Sequence, residues 1–170
     1  TRSVITYGFD PEADVRASDL VQKSGQSSFI VHRKDREPLA ITLAMPGKHN
    51  VLNALAAIAI ASDEGVSDND IAKGLETFTG VGRRFEIHGE FSVDDGVFML
   101  VDDYGHHPTE VRATVESVRV GWPMHRLIMV YQPHRYSRTM ELFDQFVDVL
   151  GQVDLLILLD VYPAGEEQIE

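Results

Sequence analysis

The stretch VDDYGHHPTE, residues 101–110, carries a dense group of side chains that can do chemistry. Asp102, Asp103, Tyr104, His106 and His107 follow an apolar run and precede a proline that can open a helix. Carboxylates accept hydrogen bonds, a phenol donates and accepts them, and imidazoles exchange protons near neutral pH or bind metals. The stretch is therefore the first candidate for a functional segment.

Positive side chains are concentrated in a second segment, QPHRYSR at 132–138. His134, Arg135 and Arg138 lie just before a predicted helix, whose N-terminus adds free N–H groups and a positive dipole. An arginine fork matches the geometry of a carboxylate or phosphate, so this segment favours anion binding. Arg83 and Arg84 form another such pair, for which a surface salt bridge beside a glycine-rich turn is the alternative.

Asn50 and Asn53 lie three residues apart, on one face at the start of a predicted helix. One of them could cap that helix, but capping accounts for only one. A side-chain amide donates to and accepts from one partner at once, which is how asparagine pairs with adenine. Nucleotide binding is the functional interpretation of the pair.

The second half of the chain alternates between strand and helix patterns. Apolar strands are predicted at 97–101, 127–131 and 155–159, with helices at 109–120 and 140–150. This β-α-β-α-β order predicts a parallel sheet covered on both faces. Ligands bind at the carboxyl ends of such strands, which run into the segments at 102–107, 132–138 and 160–166.

Two other interpretations of these segments remain open. They could be solvated loops with capping residues. They could also hold a metal, although adjacent His106 and His107 need not face the same way, and neither an HExxH motif nor a cysteine pair occurs.

The first half of the chain has a different pattern. Strands at 4–7, 28–32 and 39–43 predict a small antiparallel patch. A helix at 50–63, apolar enough to be buried on most faces, is predicted to end at Gly65. Ser67 and Asp70 form a capping box for a second helix, with Ile71, Leu75 and Phe78 on one face. Glycines between 80 and 89 predict a domain boundary near residue 82.

Composition excludes several classes of function. With a formal net charge of −12, the chain would repel nucleic acid and anionic membrane surfaces. No apolar stretch is long enough for a membrane span, and no signal-peptide pattern begins the chain. Cysteine is absent, which favours a reducing compartment, and we expect a cytoplasmic protein. The first residue is not methionine, and we expect the chain to be a piece of a longer protein.

Five segments in this order and spacing resemble the Mur ligase family: GKHNVLNALAAIAIA, GVGRRFE, VDDYGHHPTEV, QPHRYSRT and DVYPAGE. Members of this family have a UDP-sugar domain, a central ATP-binding domain and a C-terminal Rossmann-like domain. The resemblance implies that residues 1–82 are the last part of the central domain and residues 83–170 the first part of the C-terminal one. The implied fold class is α/β, with a Rossmann-like parallel segment after a strand patch and a helical pair.

The last three segments resemble the member that joins L-alanine to UDP-N-acetylmuramate in peptidoglycan synthesis, with ATP and magnesium. In this reaction the muramoyl carboxylate becomes an acyl phosphate, which the alanine amine attacks. The resemblance implies roles for ten residues: His49, Asn50 and Asn53 at the adenine; Arg84 at the phosphates, as the catalytic residue; Asp103 and Tyr104 at the ribose and base; His106, His134, Arg135 and Arg138 at the alanine end.

One departure from the family pattern limits this interpretation. No G-x-x-x-x-G-K-[ST] phosphate loop occurs, so the phosphate cradle and the magnesium ligands are expected upstream. No metal ligand is therefore assigned in this chain, which alone should not catalyse the reaction. The alternatives are the related ligase that recycles murein tripeptide and a stand-alone module that binds a nucleotide or small acid.

Overall fold

A computed structural model describes residues 4–23, 25–94 and 96–168. The chain divides into two units, Thr1–Gly82 with Val120–Trp122, and Arg83–Arg119 with Pro123–Glu170. Both contain strands and helices, and the predicted α/β class is confirmed.

The first unit contains a four-stranded sheet in the order β1-β2-β3-β4. Its strands are β1 (Tyr7–Gly8), β2 (Val15–Lys23), β3 (Gln26–Arg33) and β4 (Leu39–Leu43). Strands β3 and β4 pair antiparallel, as predicted, and β2 is also antiparallel to β3. The strand predicted at 4–7 appears only as β1, which runs parallel to β2. The sequence did not predict β2, because a bulge between Ser18 and Val21 interrupts its alternation and its second half is largely exposed.

Helix α1, Lys48–Asp63, packs one face on this sheet. Val51, Leu55 and Ile58 are fully buried, whereas Ile60 is 66% exposed. Burial on most faces, as the apolar composition predicted, is therefore wrong, because a helix on one layer buries only one stripe. The predicted end at Gly65 is confirmed, since Gly65 has φ 78 and its N–H donates to the carbonyl of Ser62.

Helix α2, Asp68–Glu76, begins with the predicted capping box. The Asp70 N–H donates to Oγ of Ser67 at 3.2 Å, and that hydroxyl donates to the Asp70 carboxylate at 2.6 Å. Ile71 is buried and packs with α1 and the sheet. Phe78 does not extend this apolar face, because it lies beyond the helix and is exposed.

The described residues of the second unit form two pairs of strands and three helices. Its elements are β5 (Glu86–Val93), β6 (Gly96–Asp102), α3 (Pro108–Gly121), β7 (Ile128–Tyr131), α4 (Tyr136–Glu141), α5 (Phe143–Leu150) and β8 (Leu155–Leu158). The β-α-β-α-β order appears as predicted, and β7 and β8 are parallel. However, β6 forms an antiparallel hairpin with β5, and no ladder joins β6 to β7 within the described residues.

Only one face of the β7 and β8 pair is covered by the described part of the chain. Tyr131 packs with Val111 and Val115 of α3 and with Phe146 of α5. Ile128, on the opposite face, is half exposed. The expectation of cover on both faces is therefore not met.

The predicted helix at 140–150 is divided into two helices, since Leu142, with φ −112 and ψ 20, separates α4 from α5.

A buried arginine joins the sheet of the first unit to α2. Arg33 on β3, with a side chain 4% exposed, donates from Nη1 and Nη2 to the two carboxylate oxygens of Asp68, each at 2.7 Å. Nη1 also donates to Oγ of Ser62 at 3.1 Å. The hydrogen bonds from Arg33 hold the pKa of Asp68 below its ordinary value. This bidentate pair is the strongest polar link between these two elements.

Replacing Asp68 with Asn should lower the free energy of unfolding by about 1.5–3 kcal/mol at pH 7, because Arg33 would stay buried without its counter-charge. The pKa of Asp68 is lower in the folded protein than in the unfolded chain. Its contribution is therefore complete above about pH 5 and is lost as pH falls through the folded-state pKa. Urea unfolding between pH 3 and pH 7 measures this difference.

Arg36→Ala is the matched control. Arg36 makes a more exposed, 3.4 Å contact with the same carboxylate, so its loss should cost less than about 1 kcal/mol. Equal losses for the two variants, or an Asp68→Asn effect that does not change with pH, would contradict the assignment.

Candidate functional site

Three loops that follow β6, β7 and β8 meet in the second unit. The ring centroids of Tyr104 and His106 are 5.4 Å apart, those of His106 and His134 are 5.8 Å apart, and those of His134 and Tyr162 are 5.3 Å apart. A parallel bridge between His134 and Tyr162 extends the pairing of β7 and β8 into the loops. The structure thus brings polar residues from all three sequence segments into one cluster, here called the loop cluster (Tyr104, His106, His134 and Tyr162).

Asp103 connects the turn before β5 to the loop after β6. Its Oδ2 accepts a hydrogen bond from the Phe85 N–H at 2.9 Å, and its Oδ1 accepts one from the Gly105 N–H at 2.7 Å. A Cβ at position 105 would lie 2.7 Å from Oδ1, so a residue with a side chain there would displace the Asp103 carboxylate. Asp103, which is predicted to bind ribose, therefore already stabilises the backbone of these two segments. Only the remaining lone pairs of its carboxylate can accept hydrogen bonds from a ligand.

Glu110, on the first turn of α3, fixes the backbone that carries the two histidines. Its Oε2 accepts hydrogen bonds from the N–H groups of His106 at 3.0 Å and His107 at 3.1 Å. Oε1 lies 3.6 Å from Nη1 of Arg84, the residue predicted to contact phosphate. Burial alone would raise the pKa of Glu110, but the two N–H donors and the charges of His106 and Arg84 bring it below its ordinary value.

The role of Glu110 was missed at the sequence level. It reaches back to the residue before the helix as the glutamate of a capping box does. The usual signal begins with Ser or Thr, and His107 stands there instead. The three-residue spacing between His107 and Glu110 was the one sequence signal that could have predicted this role of Glu110.

Two of the predicted anion-binding arginines have different surroundings. Arg135 is exposed, and its Nη1 lies 4.0 Å from Oε1 of Glu166. Glu166 also accepts hydrogen bonds from the Ser137 hydroxyl at 2.6 Å and N–H at 3.0 Å, which lower its pKa together with the Arg135 charge. Arg138 is half-buried and donates to the His134 carbonyl at 3.4 Å, and no described carboxylate lies within 4 Å of it.

His134 lies beside this guanidinium. Burial lowers its pKa, and the positive charges of Arg138, His106 and Arg135 lower it further, so the imidazole is neutral at neutral pH. Its Nδ1 is buried and has no hydrogen-bond partner within the described residues. A neutral ring with an unpaired nitrogen can accept or donate a hydrogen bond to a bound molecule.

The residues predicted to bind adenine lie in the first unit, at the start of α1. Asn50 is buried, and its Nδ2 donates to the Pro46 carbonyl at 2.7 Å. Asn53 is exposed, and its amide makes no hydrogen bond within the described ranges. His49 is half-buried. The asparagines therefore differ in exposure although they are three residues apart, and Asn53 is the one whose amide is open to a ligand.

One group of described residues has donor atoms close enough to share a metal ion: Glu86, His88 and Asp102, within 4.8 Å of one another on the β5–β6 hairpin. Arg83 already supplies positive charge there, since its Nε lies 3.5 Å from Oδ2 of Asp102 and its N–H donates to Glu86 at 2.7 Å. Mg²⁺ prefers an octahedron of oxygen ligands. An imidazole and a neighbouring guanidinium do not fit that preference, so we assign no magnesium site here.

Among the described residues, no helix has the length and apolar character needed to cross a membrane.

The solved structures that resemble this chain include three ligases. A UDP-N-acetylmuramate-alanine ligase from Thermotoga maritima is 28% identical, with a TM-score of 0.79, over 93% of this chain and 34% of that one. MurF from Acinetobacter baumannii is 25% identical, with a TM-score of 0.68, over 91% and 33%. A murein peptide ligase from Psychrobacter arcticus is 24% identical, with a TM-score of 0.55, over 91% and 38%. This chain therefore spans about a third of the length of these proteins.

Two family models match the chain. The Mur ligase middle domain matches residues 1–61, and the model described as Mur ligase, glutamate ligase domain, matches residues 83–170, more than half of the chain. On this evidence, the chain belongs to the Mur ligase family.

Proposed function

We propose that the chain is part of an ATP-dependent ligase that joins L-alanine to UDP-N-acetylmuramate in the cytoplasm. Residues 1–82 would be the last part of its ATP-binding domain, and residues 83–170 the first part of the domain that brings the amino acid. The similarity to the alanine ligase of Thermotoga maritima supports this choice, as do the residues shared with the family pattern.

The observation that carries the proposal is the electrostatic setting of Arg138. On a chain with net charge −12, a half-buried guanidinium without a described carboxylate partner is unusual. It lies beside a neutral imidazole, where three loops meet. An arginine in such a place suits the carboxylate of an incoming amino acid, because both groups are planar and pair through two hydrogen bonds.

The neighbouring groups suit the rest of the acceptor step. The amine of alanine must lose a proton as it displaces phosphate from the acyl phosphate and forms the amide. In this proposal neutral His134, or His106, whose ring lies 5.8 Å from it, would take that proton. Arg84, held by Glu110 at 3.6 Å, would stabilise charge on the phosphoryl group.

ATP supplies the phosphoryl group in this reaction. Of the residues proposed to hold its adenine, Asn53 fits best, since its amide is exposed and makes no described hydrogen bond. Asn50 fits less well, because its side chain is buried and one N–H of its amide already donates to the Pro46 carbonyl. Asp103 and Tyr104 would contact the ribose and base, with Asp103 using the lone pairs that the backbone leaves free.

An assay of the full-length protein that contains this chain tests the proposal. Phosphate release from ATP, with magnesium and UDP-N-acetylmuramate, should depend on L-alanine and should be much slower with murein tripeptide. The isolated chain should release no phosphate above background. Faster turnover with the tripeptide would assign the recycling ligase, and turnover with neither acceptor would favour a binding module.

In the full-length protein, Arg138→Ala should raise the Michaelis constant for L-alanine by roughly 10- to 100-fold, the equivalent of about 1.5–3 kcal/mol for a lost charge-assisted bond. The constant for ATP should change little. Arg138→Lys should restore part of the loss, since lysine keeps the charge without the planar fork. Arg135→Ala is the matched comparison, and its effect should be smaller because Arg135 is exposed and faces Glu166. If the Michaelis constant for ATP rose more than that for L-alanine, the assignment of Arg138 to the alanine carboxylate would be wrong.

The two asparagines of α1 should separate binding from stability. Asn53→Ala should weaken ATP binding by about 1–3 kcal/mol while leaving thermal stability nearly unchanged. Asn50→Ala should lower the free energy of unfolding by about 1–2 kcal/mol, because it leaves the Pro46 carbonyl without its donor. Calorimetry and thermal unfolding on both variants measure these effects. Unchanged ATP affinity in Asn53→Ala would remove it from the adenine site.

A further inference from the structure

Tyr131, the last residue of β7, has a buried hydroxyl that the fold itself does not use. The residue is 7% exposed, and its ring packs against Phe146 with 5.9 Å between centroids. Val111 and Val115 of α3 belong to the same apolar cluster. The hydroxyl has no hydrogen-bond partner within the described residues. Since a buried polar atom without a partner is costly, phenylalanine would suit this core better.

Tyr131 stands at the carboxyl end of β7, the end that the loop with His134 follows. The charges that act on it are those of Arg138 on α4 and Glu110 on the first turn of α3. Burial raises the pKa of Tyr131 to about 12, so the phenol keeps its proton and can donate a hydrogen bond. The strand also leads within three residues to His134, whose Nδ1 is likewise buried and has no partner in the described part of the chain.

We infer that the Tyr131 hydroxyl donates a hydrogen bond to the carboxylate of the bound amino acid, beside the contact made by Arg138. A neutral donor and a guanidinium together can serve both carboxylate oxygens. The hydroxyl then gains in the complex the partner that it lacks in the free protein. This inference rests on the proposed function and assigns Tyr131 as a residue that binds the acceptor substrate.

The test is Tyr131→Phe in the full-length protein, measured by steady-state kinetics and thermal unfolding. The Michaelis constant for L-alanine should rise roughly tenfold, while those for ATP and UDP-N-acetylmuramate stay unchanged. The melting temperature should stay constant or rise, because the substitution removes an unpaired polar group from the core. With L-alaninamide, which lacks the carboxylate, the variant and the unaltered protein should differ less than twofold. Tyr7→Phe, on an exposed tyrosine of the first unit, is the control.

The outcomes separate this inference from the proposed function. If alanine-dependent turnover occurs and Tyr131→Phe leaves the Michaelis constant for alanine unchanged, the inference is wrong and the proposed function stands. A fall in melting temperature with equal losses for all three substrates would show a structural hydrogen bond and would also overturn it. If the unaltered protein shows no alanine-dependent turnover, the proposed function fails and the inference fails with it.

Discussion

The parallel pairing of β7 with β8 is the constraint on which the candidate site depends. The register runs from Ile128 opposite Leu155 to Tyr131 opposite Leu158, and a further bridge joins His134 to Tyr162. Because both strands run in the same direction, the loops that follow them leave at the same edge. Helices α3 and α5 cover one face of this pair, and α3 begins at the loop that carries His106. The polar residues meet because the backbone of these two strands places their ends together.

The carboxylates around the loop cluster mainly stabilise the backbone. Asp103, Glu110 and Glu166 each accept hydrogen bonds from backbone N–H groups and thereby fix the three loops. Glu110 and Glu166 also lie near arginines, Arg84 and Arg135 respectively. These three carboxylates therefore fix the backbone of the loops, and two of them also balance the charge of a neighbouring arginine. Arg138 is left without such a partner in the described structure, and this difference makes it the best candidate for an anion contact.

The sequence predicted those elements whose apolar spacing and capping signals agree. The capping box of α2 and the apolar strands β6, β7 and β8 are examples. Strands β2 and β5 were missed, because each contains polar residues and a bulge that break the period of two. The pairing of β6 with β5 could not be predicted either, since an apolar run does not specify its partner.

For the site, residue types and order indicated which segments matter, but not how each residue is used. The spacing of Asn50 and Asn53 predicted a shared face, yet burial separates them, since the amide of Asn50 turns back to the Pro46 carbonyl. Tyr131 is buried by residues of α3 and α5, which are distant from it in the sequence. No local sequence pattern could therefore have predicted that its hydroxyl is buried.

The site also contains features that lower the stability of the free protein. Arg83, Phe85 and Arg135 have positive φ angles of 59°, 50° and 74°, a region that non-glycine residues enter at a cost of about 1 kcal/mol or more each. In the same unit, the Tyr131 hydroxyl and His134 Nδ1 are buried and have no hydrogen-bond partner among the residues that the structure describes. Unfavourable backbone angles and unpaired polar atoms persist where the surrounding structure holds them, and they concentrate where ligands bind. Tyr131, His134 and Arg135 belong to β7 or the loop after it, and Arg83 and Phe85 contact Tyr104 and Asp103 in the loop after β6. These features are a physical reason, independent of any family resemblance, to look for the ligand near the loop cluster.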